Sequence, residues 1–114
     1  MITRNILHVD DIAWQHLRKD LTEDVLGKSL IPESLTNVKI TLTKVQQGGS
    51  FAVHIDSYHH IFYFLQGIGE GLLGEETYQI TPGTVVHVPA GEQHGYKNTG
   101  TDDLILLTII IPKS

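Results

Sequence analysis

Cysteine is absent from this chain of 114 residues. That excludes disulfides and thiolate metal sites, so any metal must sit on His, Asp, Glu or backbone oxygens. Clustered basic charge is absent too. Eight Lys and Arg stand against thirteen Asp and Glu, for a formal net charge of −5. The electrostatic footprint of a nucleic-acid binder is therefore missing. Long apolar runs are scarce. The longest, Leu104 to Ile111, is interrupted by Thr108 and ended by Pro112, far short of the ~18 residues of a membrane span. No charged-then-apolar leader opens the sequence, so the expectation is a cytoplasmic protein with neither a nucleic-acid nor a membrane partner. Repeats, low-complexity tracts and linkers are also lacking, and the length suits one domain.

What the chain does have is strand signals. Residues 1–34 read as a less regular arm. Asp10 or Asp11 can cap a short helix through His16 and Leu17, or the stretch from Ile6 to Trp14 can be extended. Residues 20–35 read as a loop with at most short strands. From about residue 35 to 114 the pattern is β throughout. Val38 to Val45 alternates, with Val38, Ile40, Leu42 and Lys44 on one face and Lys39, Thr41, Thr43 and Val45 on the other. Gly48, Gly49 and Ser50 interrupt it with turn chemistry, and Ser50 to Asp56 reads as a second strand. His59 to Leu65 is aromatic and branched. Leu72 to Ile80 reads as a hairpin around Gly74-Glu75. Pro82-Gly83 and Pro89-Ala90-Gly91 mark tight turns. Many short strands at close spacing imply an all-β sandwich or barrel. Ile40, Leu42, Phe62, Phe64 and Tyr96 are the expected lining.

Seven histidines are many for this length. Two segments set three of them, with one aspartate, at defined spacing: Gly48-x5-His54-x-Asp56-x3-His60-x6-Gly67 and Gly83-x5-Pro89-x-Gly91-x2-His94-x3-Asn98. Residues two apart in a strand share a face, so His54 and Asp56 point together. His60 shares a face with Phe62 and Phe64, and His94 with Tyr96 and Asn98. If these strands curl round one core, His54, Asp56, His60 and His94 converge. Three imidazoles and a carboxylate suit one divalent transition metal ion (iron, manganese, nickel, zinc or copper) better than calcium or magnesium. His59 faces the other side of its strand, and His87 reads as outward-facing. Asp56 also reads as an ordinary turn residue, and Asn98 as a turn support. The run Gly67-Ile-Gly-Glu-Gly71 precedes a hairpin and no helix, so it is no phosphate loop.

These two segments resemble the paired signature of the cupin superfamily, in the manner of a small single-domain type-2 cupin. The second motif is matched at Gly83, Pro89, Gly91, His94 and Asn98. The first is matched in spacing at Gly48, His54 and Gly67, but Asp56 stands where the family has its second histidine and His60 where it has glutamate. The pair looks exchanged, and the total of three nitrogens and one carboxylate is kept. The resemblance implies a jelly-roll barrel, or double-stranded β-helix, and a metal on His54, Asp56, His60 and His94. It also implies a small-molecule ligand, pairing into a homodimer, and oxygenase, isomerase, lyase or decarboxylase chemistry with the metal as Lewis acid. Tyr96 and Glu92 are the candidates for proton transfer. A ligand-binding module without turnover and a structural dimer with a vestigial site remain the alternative expectations. The dimer contact would use Leu104 to Ile111 and the arm.

Overall fold

The computed structural model describes residues 5–32 and 34–113. A single turn of 3-10 helix, Val9–Asp11, is capped by the His8 side chain, which accepts from the Asp10 N–H. Among the described residues nine strands follow: β1 Gln15–His16, β2 Thr22–Ser29, β3 Lys39–His54, β4 His59–Gln66, β5 Gly69–Leu73, β6 Glu76–Ile80, β7 Val85–Val88, β8 His94–Asn98 and β9 Leu104–Ile111. The protein is all-β, as the turn-marked alternation predicts.

The sheet runs in the order β6-β5-β8-β3-β9-β4-β7, with β2 lying against β3 and β1 beyond it. Closure is visible in the side chains. Strands β4 and β8 are separated by β9 and β3 along the sheet, yet Phe62 and Phe64 meet the Tyr96 ring with centroids 5.5 and 5.9 Å apart. The sheet therefore curls into a jelly-roll barrel with the rings inside. Phe64, Ile80, Leu104, Leu106, Val25 and Val45 are wholly buried, and each such aliphatic or aromatic side chain contributes about 1.5–3 kcal/mol.

Three expectations differ from the structure. Gly48 and Gly49 do not reverse the chain, because residues on either side of them pair with the same strand. Thr41 to Val45 pair with β2, and Ser50 and Phe51 pair with it again across a register shift between Glu23 and Val25. Positive φ at Gly48 (+78°) and Asp24 (+55°) absorbs the extra residues, so this is a bulge within one long strand. Residues 20–35 hold an eight-residue strand, β2; its alternation is masked by Gly27 and by Lys28. Lys28 is buried, with its Nζ donating to the Val9 carbonyl at 2.9 Å and lying 4.5 Å from the Trp14 ring centre. Finally, β3 presents Thr41, Thr43 and Val45 inward, while Ile40 and Leu42 lie on the outer face opposite Ile109 and Leu107. Thr43 can occupy the interior because its hydroxyl pairs with that of Thr108 at 2.8 Å, leaving no polar atom stranded.

The turns predicted around Gly74, Gly83 and Gly91 are present. Pro89-Ala90-Gly91 is the one bonded to the segment between β3 and β4. Gly91, at φ +87°, donates its N–H to the Asp56 carbonyl at 2.8 Å, and Ala90 donates to His59 Nδ1 at 2.9 Å. This turn ties the segment carrying His94 to the segment carrying Asp56.

Candidate functional site

His54 ends β3 and His94 opens β8, and the two are register partners in that antiparallel pair. His60 lies on β4, one residue from the strand's start. Asp56 sits in the short link between β3 and β4. At this end of the barrel the Asp56 carboxylate is the centre of the group. Its Oδ2 lies 2.9 Å from His54 Nε2, 3.5 Å from His60 Nε2 and 3.6 Å from His94 Nε2. All four side chains are at least nine-tenths enclosed.

Those separations can be tested against a coordination sphere. With metal–ligand bonds of ~2.1 Å, neighbouring donors stand ~3.0 Å apart in an octahedron and ~3.4 Å apart in a tetrahedron. The oxygen-to-nitrogen distances bracket that range closely. Donor atoms of His54, Asp56 and His94 all fall within 4.8 Å of one another, so this trio could hold a metal ion.

Tautomers agree for two of the histidines. His54 Nδ1 faces the Ala52 carbonyl at 2.7 Å, and His94 Nδ1 faces the Glu92 carbonyl at 3.0 Å. A carbonyl only accepts, so each Nδ1 carries the hydrogen, and His94 Nε2 is left with its lone pair toward Asp56. This is the outer hydrogen bonding that orients metal-binding imidazoles. His60 lacks it: its Nδ1 is buried with no partner among the described residues.

Burial depresses His60 most, and His94 nearby adds to it, so its pKa falls to about 4. Burial also lowers His94, against the bond to Glu92 that works to raise it. Both rings are therefore held neutral, the form that ligates metal. For Asp56, burial favours the neutral acid, but His54, His60 and Arg18 outweigh it and hold the carboxyl below its ordinary range. The donor set thus offers an ionised oxygen beside two neutral rings, His60 and His94.

A cavity of about 110 Å³ opens beside this group. Phe51, Tyr58, Phe62, Tyr96, Thr41, Thr43, Thr108 and Ile110 line it, along with the three histidines. Tyr96 is a wall residue: it is buried among Phe51, Phe62 and Phe64, and burial raises its phenol far above neutrality. Glu92 is not in the lining; its carboxylate lies over Gly74, and its backbone carbonyl is what serves the site. His59 and His87 both stay outside, the first bonded to Ala90 and the second exposed on the outer face of β7 opposite Ile61. Leu17 and Arg18 reach the cavity from the link between β1 and β2. Neither carries a motif, and no local pattern marks them. Among the described residues no helix is long and apolar enough to cross a membrane.

Comparison with known proteins agrees with this architecture. The chain is 29% identical over 85 residues to Auxin-binding protein 1 of Arabidopsis thaliana, a match that takes in 67% of this chain but 43% of that protein's length. In structure it superimposes on a predicted oxalate decarboxylase of Thermotoga maritima with a TM-score of 0.85 at 23% identity, covering 95% of this chain and 99% of the other. The polyketide cyclase RemF of Streptomyces resistomycificus gives a TM-score of 0.83 at 22% identity, covering 99% and 81%. KdgF of Halomonas sp. gives 0.75 at 21%, covering 91% and 92%. Likeness at such identities establishes the fold. A family model described as Cupin domain matches residues 41–110, more than half of the sequence, and on that match the chain belongs to the cupin family.

Proposed function

We propose that this cupin binds one divalent transition metal ion on His54, Asp56, His60 and His94 and acts on a small polar molecule held in the adjoining cavity. The observation that carries this is the seating of Asp56 Oδ2 within 2.9–3.6 Å of three Nε2 atoms. A bound divalent ion would supply Lewis-acid polarisation of a ligand oxygen. The protein's own contribution is enclosure and orientation. The Ala52 and Glu92 carbonyls fix two rings, the Gly91 N–H anchors the Asp56 backbone, and Phe51, Phe62 and Tyr96 keep water from the inner wall. Set beside the ~300–1,000 Å³ of drug-sized pockets, a cavity of about 110 Å³ suits a ligand of few atoms. Purified protein, stripped and reconstituted with iron, manganese, nickel, copper and zinc in turn, should retain close to one equivalent of at least one of them by elemental analysis. Protein that stays empty after every reconstitution would refute the metal site.

A binding module without turnover is the second reading. It is favoured by the curated relative, whose name makes it a binding protein. Ligand uptake with no conversion of any carboxylate, enolisable carbonyl or sugar acid offered would decide for it.

The reading includes a homodimer. The outer face of β3, β9, β4 and β7 places Leu42, Leu107, Ile109, Ile61, Tyr63 and Val85 side by side, with Tyr63 and Val85 exposed. Sedimentation equilibrium should give a dimer, and Val85→Glu should shift it toward monomer.

A further inference from the structure

Among the described residues, Arg18 is the one cationic side chain of fixed charge in the cavity lining. It stands at the mouth, beside Asp56, with its side chain 42% exposed. Its backbone has φ +41°, a conformation that non-glycine residues seldom adopt and that tends to persist where function requires it. The chain is held there by a tight turn, in which Leu21 and Thr22 donate their N–H groups to the Arg18 carbonyl at 2.8 and 3.0 Å. The turn aims Leu17 and Arg18 inward while Lys19 and Asp20 remain in solvent.

The contacts of the guanidinium are loose. Arg18 Nη1 lies 3.4 Å from Asp56 Oδ1, and Nε lies 3.7 Å from Asp20. Good charged pairs stand at ~2.7–2.9 Å. A guanidinium has five N–H donors in a planar fork, and these two long contacts, with the Tyr58 hydroxyl close by, leave part of that capacity free for a ligand. Asp56 divides its oxygens: Oδ2 faces the histidines and Oδ1 faces Arg18. If Asp56 binds a divalent ion, its charge is spent on that ion, and Arg18 leaves the cavity net positive. The remaining wall is mostly apolar: aromatic and aliphatic side chains with Thr41, Thr43 and Thr108, the last two with their hydroxyls turned to each other. The cavity is thus small and apolar, with positive charge at one end only.

We infer that Arg18 selects the ligand: it receives the carboxylate of a small apolar or aromatic acid at the cavity mouth, with the body of that acid against Phe51, Tyr58 and Phe62. This specificity role rests on the metal-binding reading proposed above, but it is tested separately. Benzoate and its neutral isostere benzamide are titrated calorimetrically into wild type, Arg18→Gln and Arg18→Lys, each in metal-free and zinc-loaded form, with zinc content measured throughout. Zinc content tests the metal site, and the benzoate difference between variants tests Arg18. Loss of one charge-assisted contact should weaken benzoate about tenfold or more in Arg18→Gln, leave benzamide unchanged, and weaken benzoate less in Arg18→Lys. Benzoate affinity in Arg18→Gln within about twofold of wild type, or equal weakening of both ligands, overturns the inference. So does a wild type that binds benzoate in neither form. If Arg18→Gln loses zinc while its preference for benzoate over benzamide persists, Arg18 only positions Asp56, and the inference fails.

Discussion

His54 Nε2 and Asp56 Oδ2 stand 2.9 Å apart beside the cavity, two residues apart in sequence, with His54 the last residue of β3 and Asp56 beyond it. His54 is thereby flanked by acceptors on both nitrogens, the Ala52 carbonyl on one and the Asp56 carboxylate on the other. Such an arrangement is satisfied by a cation between ring and carboxylate, whether a proton or a metal ion. Asp56→Asn keeps the shape and removes the charge. It should lower metal affinity by more than the ~10–100-fold typical of losing an outer hydrogen-bond partner. Competition with a chromophoric chelator would measure it, and unchanged affinity would remove Asp56 from the ligand set.

The histidines give a paired prediction. His94 is 3% exposed with its Nε2 toward Asp56, while His87 lies on the outer face opposite Ile61. His94→Ala should abolish stoichiometric metal retention after dialysis. His87→Ala should leave it intact. Equal loss in both would mean that the bound metal sits elsewhere.

The residues legible in advance are those whose role is set by local backbone. Gly83, Pro89, Gly91, His94 and Asn98 keep fixed separations because a tight turn opens directly onto a short strand, and the structure has that turn and that strand. The convergence of His54, His60 and His94 follows from strand period and closure, whereas Asp56 joins them from the link after β3, beyond the end of that strand, with its carbonyl held by the Gly91 N–H. Period two also separated the faces of β3, but it could not say which was inside. Thr41 and Thr43 share the face opposite the expected lining of Ile40 and Leu42, yet that face is the inner one, where the hydroxyls of Thr43 and Thr108 satisfy each other. The bulge at Gly48 was invisible because glycine pairs mark turns and bulges alike. Arg18 was out of reach for a different reason. Its place at the cavity depends on β2 pairing with β3, a strand reached only through a further loop of chain. Nothing in the residues around Arg18 records that pairing.

Asn98 tests how the second motif supports the barrel. Its amide donates to the Val45 carbonyl at 2.9 Å and to the Asp102 carbonyl at 2.8 Å, and its oxygen accepts from the Gly100 N–H at 2.9 Å. The residue is buried. Asn98→Ala leaves the Val45 carbonyl without this donor and loosens the β8–β9 turn, at a cost of about 2–3 kcal/mol. Urea unfolding should show the midpoint falling with little change in slope. Asn98→Asp should be similarly destabilising because it cannot donate to either carbonyl.

Tyr78 makes a prediction about alkaline pH. It sits directly opposite Gly71 in the β5–β6 ladder, its ring covering the glycine so closely that any side chain there would collide with it. Burial pushes its phenol from an ordinary value of 10.0 up to about 12. The sign follows from proton counting. Between those two values the unfolded chain has released a proton that the folded chain keeps, so the unfolded state gains as pH rises. Stability from this group is intact below pH 10 and is lost on approaching 12. Two units at ~1.4 kcal/mol each put the effect on the order of 2–3 kcal/mol. Tyr96 is raised in the same direction, by burial and then by Tyr78, so the alkaline limb is steep in wild type. Tyr78→Phe keeps the ring over Gly71 and removes the ionisable hydroxyl. Its denaturant midpoint should therefore fall less than that of wild type across this window, while the two behave alike at neutral pH apart from a constant offset. Lysine deprotonation contributes equally to both proteins and cancels in the difference. Parallel curves would mean that Tyr78 ionises as freely in the folded barrel as outside it, and that its ring does not seal that side of the core.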